Sequence, residues 1–168
     1  MILSTASITP ADLILGIDPG LKGGIVFLNA NTSKLEAVYD VPTCEVKDKT
    51  VMNIYALNNL IEMWAPRTRF AVIEKVGAAP HQGVSSVFKF GFTAGATNAT
   101  VICNGIAVVN VPPAVWKMGL GMDGPSKDES RALAIKEFPA HANYFKRKMD
   151  DGRAEAALIA LYGMRSDV

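Results

Sequence analysis

Cysteine and histidine are scarce in this chain, which has only Cys44, Cys103, His81 and His141. No Cys-x-x-Cys pair and no Cys/His spacing of a zinc site occurs, so a disulfide framework and a structural zinc module are excluded. The two thiols then read as free groups suited to a reducing cytoplasm. No run of eighteen apolar residues is present, and the sequence predicts no membrane-spanning helix. Residues 1–12 lack the basic start and long apolar stretch of a secretion signal and read as a loose leader. A G-x-x-x-x-G-K-[ST] phosphate loop and internal repeats are also missing. Charged residues are few, 20% against 49% hydrophobic in 168 residues, which excludes a disordered tail and fits one domain over residues 1–168.

The formal net charge of +1 hides an uneven distribution. Residues 1–74 carry six basic and eight acidic side chains, residues 75–148 nine and four, and residues 149–168 two and four. A basic middle between two acidic ends fits a surface that meets phosphates around an acidic centre.

Hydrophobic periodicity predicts strands at 13–18, 24–29 and 35–41, joined as a meander, with residues 43–50 as a polar loop. Ile54, Leu57, Leu60, Ile61 and Trp64 recur at helical spacing up to Pro66, and a short buried strand follows at 69–74. Ser85 to Gly105 reads as a helix whose small residues let another backbone approach closely. Residues 106–111 form the fifth strand, stopped by Pro112-Pro113. Ala114 to Met118 reads as a helical turn. Ser126 and Glu129 form a capping box for the next helix, and the last helix runs from Asp151 to Met164 with hardly any polar face.

Four acids stand out against these apolar surroundings. Asp18 ends the first strand in Asp18-Pro19-Gly20, a tripeptide that equally suits a simple turn or a metal ligand. Glu74 ends the strand at 69–74. Asp151 and Glu155 lie four apart on the last helix, about 40° around its axis, where like charges repel and call for a cation. Arg153 points elsewhere. Oxygen donors without His or Cys favour Mg²⁺ or Mn²⁺ over zinc, and two such ions about 4 Å apart would suit phosphodiester hydrolysis.

Taken in order, Ile14-Leu-Gly-Ile-Asp-Pro-Gly20, the strand ending at Glu74, Ser86-Val-Phe-Lys-Phe-Gly91, Pro113-Ala-Val-Trp-Lys117, Lys127 after a Gly-rich loop, and Arg153-Ala-Glu-Ala-Ala157 resemble the RuvC family of Holliday junction resolvases. The Gln82-Gly-Val-Ser-Ser86 stretch and the Asp150-Asp-Gly-Arg-Ala-Glu155 ending are more similar to its phage-encoded members. The resemblance implies an α/β, RNase H-like fold with a mixed five-stranded sheet flanked by helices. It also implies a cytoplasmic homodimer, in a bacterial or phage-infected host, that binds four-way or branched DNA and resolves it with Mg²⁺ by paired nicks leaving 5′-phosphates.

Carried over by position, Asp18, Glu74 and Glu155 match the family's acids as catalytic and metal-binding residues. The spacing of three before the last acid lands on Gly152, so Asp151 is expected to serve from four before. Lys117 and Lys127 match positions that resemble DNA-contacting lysines, and Lys75, His81, Lys89, Lys146, Arg147 and Lys148 complete the expected DNA-facing set. The family commonly has an aromatic soon after the second acid, where this chain has Gly77-Ala-Ala-Pro80. Phe88 and Phe90 could stack on bases, but the commoner fate of such residues is the core. Asp150 is expected to cap the last helix.

Three rival functions follow from the same residues. An actin-like or sugar-kinase-like ATPase would need a second domain. A silent junction binder would do better without clustered acids near phosphates. Another RNase H-like nuclease, acting on hybrids or other branched DNA, shares every feature above.

Overall fold

The computed structural model describes residues 11–77, 82–122 and 127–166. The leader up to residue 10, His81, the Ser126 end of the expected capping box and the side chain of Lys127 lie outside the described residues.

Two strands, β1 (Leu13–Ile17) and β2 (Gly24–Asn29), are buried along their whole length and form an antiparallel hairpin, as their continuous apolar runs require. β3 (Leu35–Asp40) adds to the outer edge of β2, with one wetter face. After the hairpin β4 (Thr43–Val46) and β5 (Lys49–Met52) comes α1 (Ile54–Trp64), whose first turn is capped by the Asn53 side chain. β6 (Thr68–Glu74) returns beside β1 in parallel, and β7 (Val108–Val111) pairs parallel to β6 after α2 (Val84–Cys103). The sheet order is β3-β2-β1-β6-β7. α3 (Pro113–Gly119), α4 (Lys127–Glu137) and α5 (Asp151–Arg165) are the remaining α-helices among the described residues.

Strand alternation divides the core in two. Leu13, Leu15, Ile17, Ile25 and Phe27 face α1 and α2, packing on Leu57, Ile61 and Val101. Ile14, Val26, Leu28 and Val72 face the other way, against α5 and its neighbours α3 and α4. Both faces of the sheet are thus covered, the arrangement of a layered α/β domain. No helix among the described residues is long and apolar enough to cross a membrane.

Missing side chains set the distance between α5 and the β1–β2 hairpin. A Cβ on Gly16 would stand 2.2 Å from the Ala156 carbonyl oxygen, and one on Gly152 2.2 Å from the Lys22 carbonyl oxygen. Gly23 and Gly152 even form an isolated parallel bridge. The first turn of α5 is therefore in backbone contact with the turn that follows Asp18.

Five sequence expectations need correction. Residues 43–50, read as a loop, belong to the β4–β5 hairpin. Its turn residues Lys47 and Asp48 both have positive φ, 48° and 57°, the tight reversal that Asn-Gly ordinarily marks. The small residues of α2 meet no second backbone: nothing lies within 4 Å of a Cβ built on Gly91 or Gly95. Phe88 is exposed rather than core, while Phe90 is half-buried with its ring edge 3.9 Å from the Cβ position of Gly20. Asp12 is not loose, because Arg67 grips its carboxylate through two nitrogens at 3.1 and 2.8 Å. Asp150 occupies the cap position of α5 without a capping hydrogen bond. Its buried carboxylate instead turns back to accept from the backbone N–H and the guanidinium of Arg147, with Arg153 3.7 Å away.

Candidate active site

Asp18 leaves the end of β1, Glu74 the end of β6, and Asp151 and Glu155 project from the first two turns of α5. Because β1 and β6 are parallel neighbours, with Ile17 paired to Ile73, their next residues emerge side by side at one edge of the sheet. Asp18 serves the turn as well, accepting from the Gly20 N–H at 3.2 Å. It lines an open cleft with Asp151, Glu155, Lys22, Arg147 and Lys148.

Glu74 is the most perturbed of the acids. Burial pushes its carboxyl up to about 7, and the charges of Asp18 and Glu155 push in the same direction. The buried Trp116 indole, donating to Glu74 Oε2 at 3.0 Å, and the charge of Lys117 pull the other way. Asp18 and Glu155 thus both act on the half-buried Glu74 as like charges, which is the electrostatic setting that a cation relieves.

The cation demanded by Asp151 and Glu155 arrives from other helices. Lys117 of α3 reaches Glu155 Oε1 at 3.3 Å, and the buried Ser130 of α4 donates to the same oxygen at 3.3 Å. Arg131, next on α4, sets its Nε 2.9 Å from Asp151 Oδ1. Arg153 does point elsewhere, to Asp40 at 2.6 Å. Lys117 is therefore turned toward the acids, resting 5.1 Å from the centroid of the Trp116 ring.

The remaining basic residues sit at the rim and on the surface. Lys146, Arg147 and Lys148 are exposed, and Lys75 and Lys89 are exposed beyond Glu74 and on α2. Sequence reasoning missed Trp116, Ser130 and Arg131 as members of the site. The signal available for Trp116 was its place beside Lys117.

The donor chemistry suits a hard cation, since every acid offers oxygen. Among the described residues, however, no three His, Cys, Asp or Glu side chains converge as a ready metal-binding group. Glu155 and Asp151 instead face resident basic side chains. Gly152, at the spacing expected of a third acid, has no room for any side chain.

The whole topology has counterparts among solved structures. RuvC from Thermus thermophilus superposes with a TM-score of 0.62 over 92% of this chain and 96% of its own, at 15% identity. The same organism's RuvC in complex with a Holliday junction substrate matches at a TM-score of 0.64 and 19% identity, over 89% of this chain and 91% of its own. The fold is that of RuvC. It is an RNase H-like α/β fold, as the sequence resemblance implies. No protein-family model and no curated protein matches the sequence. Within the RuvC fold, the candidate acids occupy the sheet edge where β1 and β6 end beside the start of α5.

Proposed function

We propose that this chain is a metal-dependent endonuclease that resolves four-way DNA junctions by paired symmetric nicks leaving 5′-phosphates. The observation that carries the reading is the emergence of Asp18 and Glu74 from adjacent parallel strand ends beside Glu155 of α5 in a RuvC fold, with the Glu74 carboxyl pushed up to about 7 by burial first and by the charges of Asp18 and Glu155 second. A divalent cation such as Mg²⁺ or Mn²⁺, held by these carboxylates, would supply charge neutralisation at the scissile phosphate and an activated water. Asp18 and Glu74 provide its oxygen donors from the two strand ends. Trp116 keeps Glu74 aimed and favours its ionised form, while Lys117 and Ser130 fix Glu155. Lys22, Arg147 and Lys148 at the rim offer phosphate contacts that orient the strand over the acids.

A junction has two-fold symmetry, and two symmetric nicks need two sites related by the same operator, so the working unit is a homodimer. An exposed stripe on α2 supports it: Val84, Phe88, Phe92 and Ile102 are 86, 75, 60 and 57% exposed, with Gly95 and Ala99 between them. Spacings of three and four put these residues on one helix face, and the small ones would let a second copy approach closely. The two free cysteines fit the reducing cytoplasm of a bacterial or phage-infected host.

The test is a cleavage panel of four-way, three-way, flap and RNA–DNA hybrid substrates with Mg²⁺, run for the native chain and Asp18→Asn. Four-way junctions should be cut in pairs of symmetric nicks, and the variant should bind junctions without cutting them. Equal cutting of hybrids would move the activity to a general RNase H-like nuclease. Full activity in excess chelator would end the metal mechanism.

A further inference from the structure

Large apolar side chains are exposed at several places on this chain, and a single one needs no explanation. One of them stands at the cleft. We propose that Met149 is an apolar wedge that lies against an unstacked nucleobase at the branch point of the DNA, while Arg147 and Lys148 hold the neighbouring phosphates. This inference rests on the junction-resolving reading of the same site and deepens it by naming what the cleft recognises.

Met149 is 73% exposed and lines the cleft together with Asp18, Asp151 and Glu155, and no other strongly exposed apolar side chain among the described residues does so. The segment that carries it is clamped at both ends. Phe145 is fully buried beside Phe138, their ring centroids 6.5 Å apart, and the Asp150 carboxylate is 1% exposed. Asp150 accepts from the Arg147 backbone N–H at 2.8 Å and from its guanidinium Nη2 at 2.8 Å, which closes the short 3₁₀ turn Lys148–Asp150. Lys146 to Met149 are thereby held out in solvent on a fixed frame.

Charge decides what that frame meets. Lys146, Arg147 and Lys148 are consecutive exposed cations, suited to a row of phosphates, and the apolar side chain directly after them suits the flat face of the base that a phosphate carries. Bases inside a paired arm are sealed by their neighbours, and entering between them costs unstacking. Where strands exchange, the stack is already interrupted and that cost is smallest. The wedge therefore favours branched DNA over continuous duplex. Methionine fits the role because its unbranched, polarisable thioether adapts its shape and makes favourable contacts with aromatic rings. Every base offers such a ring face, so recognition follows the branch and not the sequence.

The test uses four-way junctions carrying 2-aminopurine, a base whose fluorescence rises when it leaves the stack, either at the branch point or in the middle of an arm. They are mixed with the full chain in chelator, so that no strand is cut. At saturating protein the native chain should raise the branch-point signal several-fold and leave the arm signal unchanged. Met149→Leu should keep most of that rise, whereas Met149→Ala and Met149→Gln should lose it while binding junctions with the native salt slope, which counts phosphate contacts and not the wedge. An undiminished rise with either folded variant overturns the inference, as does a native complex that forms without any rise. Loss of a dimer in these variants by sedimentation would assign Met149 to a protein contact and overturn it too. Circular dichroism checks folding: if Met149→Ala is unfolded, Met149→Gln alone decides, and unfolding of both would make Met149 a packing residue and refute the wedge. A native chain that binds no four-way junction would remove the junction reading itself and the inference with it, an outcome distinct from a bound junction that stays stacked.

Discussion

The indole N–H of Trp116 donates to Glu74 Oε2 at 3.0 Å, joining α3 to the end of β6 across 42 residues of chain. This bond opposes the burial and like charges that push the Glu74 carboxyl up to about 7. Trp116→Phe should therefore raise it further, and since only the ionised acid binds a cation well, Mn²⁺ affinity should weaken most near neutral pH and recover toward pH 9. Isothermal titration with Mn²⁺ across that range checks it; a uniform loss at every pH would mean that Trp116 acts through packing alone.

The same acid makes a signed prediction for stability without metal. Its folded value lies above its ordinary 4.5, so the folded state holds the proton more tightly, and the stability this provides is complete below about 4.5 and lost as pH rises through about 7. In chelator, the native chain should lose melting temperature between these limits, whereas Glu74→Gln should lose less. Parallel melting curves for the two would contradict the assignment.

Asp150 should matter for folding more than a helix cap would. It is buried between Arg147 and Arg153; burial favours its neutral form, but the hydrogen bonds from Arg147 outweigh that and hold its carboxyl below the usual range. Asp150→Asn should cost about 1–3 kcal/mol, between a surface and a buried pair, although Asn caps helices nearly as well as Asp. Urea unfolding measures this, and a neutral result would return Asp150 to simple capping.

Arg147→Ala and Lys148→Ala should each lower the slope of log affinity against log salt for a four-way junction by roughly one, if each meets a phosphate. Filter binding over a range of salt concentrations is sufficient. Unchanged slopes would make both residues ordinary solvated charges.

Gly152→Ala should destabilise the chain by at least about 2 kcal/mol, because the new Cβ meets backbone and not a flexible side chain. Gly152→Asp, which would restore an acid at the spacing of three, should fail to give a folded active site. Thermal melts of both variants test this.

Much of the architecture was legible because β1, β2 and β6 are largely buried runs of apolar residues, each ending at a turn or an acid. The β4–β5 hairpin was not, since its strands are mostly exposed and its turn uses Lys47-Asp48 where sequence rules look for Asn or Gly. The exposed stripe on α2 was not read from the sequence, because Val84, Phe88 and Phe92 would show the same spacing on a buried face. The acids at 18, 74 and 155 were recognisable from their apolar settings. The groups that hold them were not, because Trp116, Ser130 and Arg131 reach their partners across long stretches of chain that no local pattern connects.

The glycine contact between α5 and the β1–β2 turn limits how this site could be redesigned. Side chains that separate two elements can be exchanged for larger or smaller ones, and the gap follows; backbone against backbone has no such adjustment. Under the metal-dependent reading proposed above, ion-size preference would then be adjusted through the reach of the acids themselves. Glu155→Asp, shorter by one methylene, is the natural handle for shifting selectivity between small and large divalent ions while the framework stays fixed.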